Sequence, residues 1–398
     1  MNTTEKLAPG APPSADFIPL IVPEICGNEW KYVKECLDTN WVSSVGSYVD
    51  QFEKMTAERA GTKFAIATVN GTAALHIALL LAGVHAEDEV LISTLTFIAP
   101  ANAIRYVGAW PVFIDAEPKY LQMDPACVAE FIERDCRWDG SELRNRRTGR
   151  RVKAILPVHI LGHPVDLDPI MEVASKYSLQ VIEDATEGLG ASCRGRNLGS
   201  IGHVGCFSFN GNKIITTGGG GMLVTNNAEW AARARYLTTQ AKDDPIEYVH
   251  NAIGYNYRLT NLLAAMGCAQ MEQLDVFVEA KRRIARSYRE SLADLPGVRL
   301  PEEAEWAFST FWMYTPLIDE KESRIDSRQL LRKLNENKIQ ARPLWQPMHR
   351  SPAHDSSGSP PCPIADALHR QAISLPCSVG LSRSSQDQVV AVISNLLR

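Results

Sequence analysis

Nine cysteines, at positions 26, 36, 127, 136, 193, 206, 268, 362 and 377 of 398 residues, include no CxxC pair. Their odd number and scatter exclude a zinc ribbon and a disulfide framework, so no metal site is expected and a reducing compartment fits. No apolar run approaches the ~20 residues that span a bilayer. The first sixteen residues, rich in Pro, Ala, Ser and Thr, lack the apolar stretch of a signal peptide. Residues 1–16 read as a disordered tail on a cytoplasmic protein with no membrane association. An excess of positive charge is also missing: 41 Lys and Arg against 46 Asp and Glu leave a net charge of -5, which excludes a nucleic-acid partner held by backbone electrostatics. The densest basic patch, Arg144 to Arg151, reads as a solvated loop. No internal repeat is visible.

What is present is an ordinary globular composition, 45% hydrophobic and 22% charged, in a chain long enough for one large domain and a smaller one. Apolar spacing predicts a helix over 23–37 and a loop over 40–47. Strand-like runs at 64–69, 89–93, 111–114, 154–158 and 180–184 then alternate with helical segments at 72–82, 100–107 and 169–176. That rhythm predicts βαβ units and a large, mixed, mostly parallel sheet. Residues 206–209 and 221–225 have no helix between them and are expected to pair antiparallel. A single long helix is expected from Leu262 through Tyr288, bridging to a smaller C-terminal α+β domain. That domain has a strand at 311–317, a helix at 327–335, a short extended run at 339–342 and a closing helix from Ser385. The expected division is 17–275 for the large α/β domain and 276–398 for the small one. His354 to Pro363 reads as a mobile Ser/Pro-rich loop.

Lys213 lies in Ser208-Phe209-Asn210-Gly211-Asn212-Lys213-Ile214-Ile215-Thr216-Thr217-Gly218, a segment with no acidic residue. A lone lysine beside a Gly-rich turn is ordinarily a solvated charge. Among hydroxyl, amide and glycine residues it also fits an amine held in a cavity to form a Schiff base. Pyridoxal phosphate is the main source of such chemistry, and its pyridine nitrogen calls for a carboxylate. Asp184, at the end of a strand-like run, is the candidate, although capping the next helix explains it equally well. Asn70-Gly71-Thr72, between a strand and a helix, offers free backbone N–H groups and a hydroxyl to a phosphate, or is simply a cap. Phe97 is an aromatic that could stack on a ring, or a core residue.

The order of these pieces carries a resemblance. Asn70 to Leu75, Thr94-Leu95-Thr96-Phe97-Ile98-Ala99, Glu183-Asp184-Ala185, Ser208-Phe209 with Lys213, Thr217 to Met222 and Gly254-Tyr255-Asn256-Tyr257-Arg258 together make the chain resemble the DegT/StrS family of pyridoxal-phosphate-dependent sugar aminotransferases, from about Phe17 to the C-terminus. The resemblance implies the aspartate-aminotransferase-like fold of type I pyridoxal-phosphate enzymes. It implies that Lys213 carries the cofactor and shuttles protons, that Asp184 partners the ring nitrogen and that Phe97 is the ring platform. Gly71, Thr72 and Ser208, with Asn210 beside them, would hold the phosphate. Asn256 would reach it from a neighbouring subunit, making a homodimer with shared active sites. Two positions depart from many relatives: Glu187, expected near the cofactor's phenolic oxygen, stands where they carry Gln, and Gly219 where they carry Glu.

Asn102 to Tyr106, Pro157-Val158-His159, Gly162-His163-Pro164 and Arg342-Pro343-Leu344-Trp345 resemble the branch that aminates C4 of nucleotide-linked 4-keto-6-deoxy sugars for legionaminic acid, bacillosamine and similar surface or O-antigen sugars. The implied partners are L-glutamate as donor and a nucleotide-linked keto sugar as acceptor. A UDP-linked 2-acetamido-4-keto-6-deoxyhexose is the first expectation; GDP- or dTDP-linked 4-keto or 3-keto sugars are the alternatives. Turnover would be ping-pong, with pyridoxamine phosphate between the two halves. Trp41, His159, His163, Arg258 and Trp345 are candidates for substrate contact, each with packing as the alternative. A sugar dehydratase is argued against by Lys213, where that branch carries histidine. A non-catalytic regulator is argued against by the lack of any visible DNA-binding or sensor element.

Overall fold

The computed structural model describes residues 16–244, 246–354 and 356–397. The expected tail lies outside these residues except for its last position.

The alternating pattern builds one nine-stranded sheet. Its strands are β1 (Phe64–Thr68), β2 (Glu89–Ser93), β3 (Trp110–Ile114), β4 (Cys136–Trp138), β5 (Leu143–Asn145), β6 (Arg151–Leu156) and β7 (Gln180–Asp184). After a small hairpin of β8 (Ser192–Cys193) and β9 (Arg196–Asn197), β10 (Val204–Ser208) and β11 (Gly221–Thr225) complete it. The spatial order is β1-β11-β10-β7-β6-β2-β3, with the β4-β5 hairpin attached to β6. β10, β7, β6, β2 and β3 are parallel, while β11 runs antiparallel to β10 and β1, which is the mixed, mostly parallel sheet expected.

Side chains alternate across the sheet, and both faces are covered. Leu91, Val112, Ile155 and Val181 enter one hydrophobic cluster, and Val90, Phe113, Ala154 and Ile182 the other. Burial on both faces is why these strands read as continuous apolar runs. Around the sheet lie α1 (Glu29–Asp38), α2 (Ser47–Ala60), α3 (Gly71–Leu81), α4 (Ile98–Tyr106), α5 (Pro125–Asp135), α6 (Leu167–Lys176) and α7 (Ala228–Thr238). They are followed by α8 (Asn261–Met271), α9 (Leu274–Leu292), α10 (Ser327–Glu336), α11 (Pro363–Gln371) and α12 (Arg383–Leu397).

Two expectations are corrected. The long helix from Leu262 is two helices, α8 and α9, broken at Glu272 and Gln273. The expected strand at 311–317 is mostly irregular: Phe311 has φ +49°, and only Leu317–Ile318 pairs as a strand. In the loop expected at 354–363, His354, Ser359 and Cys362 are buried, and the Phe113 N–H donates to Ser359 Oγ at 2.9 Å. The basic patch is the solvated turn expected, with Arg146 and Arg147 exposed, while Arg144 pairs with Glu142, Arg150 with Glu87 and Arg151 with Asp88.

Candidate active site

The parallel strands β2, β6, β7 and β10 all point their C-terminal ends at one cavity of about 430 Å³. In open α/β sheets this is where backbone groups and loops are free to meet a ligand. Lys213 lies on its wall, in the connection between β10 and β11. That connection is stiffened by the Phe209 N–H to Gly220 carbonyl and Thr217 N–H to Phe209 carbonyl bonds, both 2.9 Å. The Lys213 side chain is 14% exposed, and its Nζ lies 3.3 Å from Glu187 Oε1.

Two carboxylates are buried beside this amine. Asp184, at the last position of β7, is 2% exposed and accepts from the Thr186 N–H at 3.1 Å. Burial pushes its pKa up, against the pull of Thr186, Lys213 and His159. Glu187 is also buried and pushed up by burial; Lys213 and the Leu161 N–H, which donates to Oε2 at 2.8 Å, pull the other way. Such buried carboxyls are held ready for a cationic or protonated partner.

Facing them is the start of α3. Asn70 caps it, its Oδ1 accepting from the Ala73 N–H at 2.8 Å. Gly71 is required by proximity: a Cβ there would lie 2.8 Å from Ser208 Cβ. Without one, the first-turn N–H groups of α3, the Thr72 hydroxyl and the end of β10 at Ser208 converge on the same cavity. A hydroxyl-lined helix N-terminus, a buried Asp and a lysine amine in one cavity are the donor and acceptor set that pyridoxal phosphate needs for its phosphate, ring nitrogen and aldehyde.

The structure brings Gly71, Thr72, Phe97, Asp184, Glu187, Ser208, Asn210 and Lys213 together around this cavity, with Trp345 of the substrate candidates. Phe97 is 57% exposed and serves as wall, not core. The other candidates lie outside it. His159 is fully buried with both nitrogens occupied, Nε2 against Glu183 Oε2 at 3.2 Å and Nδ1 accepting from the Val165 N–H at 3.0 Å. His163 stacks on Tyr120 with ring centroids 4.9 Å apart, and burial pushes its pKa down to about 4. Arg258 is paired with Glu53 at 2.8 Å. Trp41 is 56% exposed, with its carbonyl held by Asn261. Asn256 is exposed and bridges to Thr239.

Trp312 was not foreseen. Its ring centroid lies 4.7 Å from Lys213 Nζ, and its indole N–H donates to the Asn212 carbonyl at 2.9 Å. No local signal could have found it, because a hundred residues separate Trp312 from Asn212.

A family model described as the DegT/DnrJ/EryC1/StrS aminotransferase family matches residues 23–394. GDP-perosamine synthase of Caulobacter vibrioides is 40% identical over 381 residues, covering 96% of this chain and 98% of that protein. GDP-perosamine synthase of Escherichia coli O157:H7 is 38% identical, with 96% and 98% covered. Among solved structures, the aminotransferase TlmJ from Streptoalloteichus hindustanus is similar at TM-score 0.86 and 27% identity, covering 95% of this chain and 98% of TlmJ. DesI, solved in the presence of its TDP-sugar product, is similar at TM-score 0.84 and 28% identity, covering 96% and 93%.

Proposed function

The chain belongs to the DegT/DnrJ/EryC1/StrS aminotransferase family, and from that premise we propose that it transfers the amino group of L-glutamate to the C4 keto carbon of a GDP-linked 4-keto-6-deoxy sugar. It is a pyridoxal-phosphate-dependent nucleotide-sugar aminotransferase. The observation that carries the reading is the single cavity in which Lys213, Asp184 and Glu187 face the start of α3. The nucleotide is where the comparisons move the expectation. Motif resemblance pointed to UDP, whereas relatives covered almost end to end are named for a GDP-linked product, so GDP becomes the first acceptor to test.

Bound in this cavity, pyridoxal phosphate supplies an electron sink conjugated to the reacting amine. The chain's own residues do the rest. The first-turn N–H groups of α3 with Thr72 and Ser208 hold the phosphate, where the positive end of the helix favours a dianion. Asp184 holds a proton on the ring nitrogen, and its burial strengthens that contact. Lys213 Nζ, among the described residues the one amine lining the cavity, takes a proton from the α-carbon of the donor and returns one to the sugar carbon. Glu187 keeps that amine oriented, while Phe97, Trp312 and Trp345 wall the cavity against water.

A homodimer belongs to the same proposal. Asn256 sits in a segment whose apolar side chains Ile246, Tyr248 and Ile253 are 81%, 70% and 84% exposed, which supports an interface with a second copy that would bring Asn256 to its cavity. Among the described residues no helix is long and apolar enough to cross a membrane.

The test is a half-reaction. Enzyme converted by glutamate to its pyridoxamine form is mixed in turn with GDP-, UDP- and dTDP-linked 4-keto sugars, and recovery of the visible absorption is followed. Fastest recovery with the GDP sugar supports the proposal; preference for another nucleotide overturns the GDP assignment alone. Failure of glutamate to bleach the enzyme would overturn the donor. Lys213→Ala should abolish the visible absorption and turnover together.

A further inference from the structure

A lysine lies in the core with no carboxylate beside it. Lys281, on α9, is 1% exposed, and its ammonium donates to the Trp312 carbonyl at 2.9 Å and the Cys377 carbonyl at 2.6 Å, with Cys377 Sγ at 3.8 Å. Among the described residues none of its partners is acidic. Desolvating an ammonium is costly, and an apolar side chain of similar volume would fill the space more cheaply. The donors therefore matter more than the bulk.

Those donors act where the backbone lacks a ladder. Residues 311–316 form no strand, Phe311 sits at φ +49°, and the Thr310 N–H reaches across to the Gly162 carbonyl at 3.0 Å. Among the described residues the Trp312 carbonyl is held only by side chains, Lys281 Nζ and the Cys377 thiol, the latter at 3.6 Å. At its other end Trp312 is tied through the indole N–H to Asn212, the residue before Lys213. The ring spans the gap between these two anchors, close against the Lys213 amine, which also faces Glu187.

We propose that Lys281 is a positioning residue for the Lys213 site: it fixes the Trp312 carbonyl, and through the rigid indole it sets the cavity wall against which the cofactor-bearing amine is held. The proposal deepens the function proposed above and rests on its reading of the cavity as the cofactor site. Lys281 touches no substrate and takes no part in proton transfer.

A double-mutant cycle on the full-length, cofactor-loaded protein tests it, read by the apparent cofactor dissociation constant and by circular dichroism of the visible band. Lys281→Met and Trp312→Phe should each weaken cofactor binding about tenfold and alter the visible dichroism. The double variant should be no weaker than Trp312→Phe within about twofold, because the two residues act as one unit. Additive losses, near a hundredfold in the double variant, overturn the proposal, as does a Lys281→Met protein with unchanged affinity and dichroism. If Lys281→Met is not recovered folded, the cycle is run with Lys281→Leu, which likewise removes the donor, and is read by the same coupling. Unaltered protein that shows no visible cofactor band sinks the cofactor reading itself; a normal band with additive losses sinks the positioning role alone.

Discussion

Glu187 ties Lys213 to a strained turn. One carboxylate oxygen is 3.3 Å from Lys213 Nζ, and the other accepts from the N–H of Leu161, which sits at φ +61°. A single buried side chain thus couples the reactive amine to the backbone between β6 and α6. Glu187→Gln keeps one acceptor oxygen, enough for one of these two hydrogen bonds, and removes the charge. Burial raises the Glu187 pKa, so as pH rises through that value the carboxylate forms and the amine gains its partner. The variant should lose this acidic limb of the kcat/KM profile, with a fall in kcat smaller than the ~10²-fold that loss of a general acid or base costs. A profile that keeps the limb would assign it to another group.

Asp184 should be a stability cost in the cofactor-free chain. Its folded pKa is raised above the ordinary 3.8, so the folded chain still holds the proton at pH values where the unfolded chain has released it. Its stabilising contribution is complete below the ordinary value and is lost as pH rises through the raised one. Asp184→Asn should therefore stabilise the cofactor-free protein at neutral pH by roughly 1–3 kcal/mol, while turnover falls at least ~10²-fold. Thermal melts at acid and neutral pH check the sign: the gain should shrink toward acid.

Gly221 fixes how closely the start of α3 can approach the sheet. A Cβ on it would lie 2.4 Å from the backbone carbon and oxygen of Asn70, whereas one on Gly219 would meet nothing within 4 Å. Gly221→Ala should cost roughly 1–3 kcal/mol and weaken cofactor binding, because Asn70-Gly71-Thr72 must move. Gly219→Ala should leave the melting temperature unchanged. Equal melts for the two variants would refute the close-approach argument.

Much of the fold follows from periodicity alone. The runs at 89–93 and 180–184 are strands over the residues expected, and the antiparallel β10-β11 pair follows from the missing helix between them. These signals are local, because a strand or helix shows its buried face within a few residues. α2 escaped because Glu53, a charged residue on its buried face, breaks the apolar pattern; its partners Arg235 and Arg258 are far away in the chain. The same distance hides the site's upper wall. Glycine, hydroxyl and Asp positions around Lys213 are local to strand ends and could be named from sequence, whereas the pairing of His159 with Glu183 and the reach of Trp312 to Asn212 depend on where distant segments pack. Polar residues with several possible duties are settled by their partners.

Arg258 shows that partner choice most clearly. Its guanidinium, 9% exposed, donates to Glu53 Oε1 at 2.8 Å and lies 3.3 Å from the Ala67 carbonyl, while Glu53 also receives Arg235 at 2.6 Å and the Ala67 N–H at 2.8 Å. One buried carboxylate thereby joins α2, β1, α7 and the segment before α8. Removing one partner of a buried pair leaves an uncompensated charge, a loss of about 3–5 kcal/mol, although Arg235 remains to offset part of it here. Arg258→Met should lower the melting temperature and leave the KM for the keto sugar within about twofold of the unaltered enzyme. The double variant Glu53→Gln with Arg258→Met should recover part of the stability, since neither side chain is then left buried and charged alone. A tenfold or larger rise in acceptor KM with an unchanged melt would instead make Arg258 a substrate contact, a result reachable only if the Glu53 pair opens when the sugar binds.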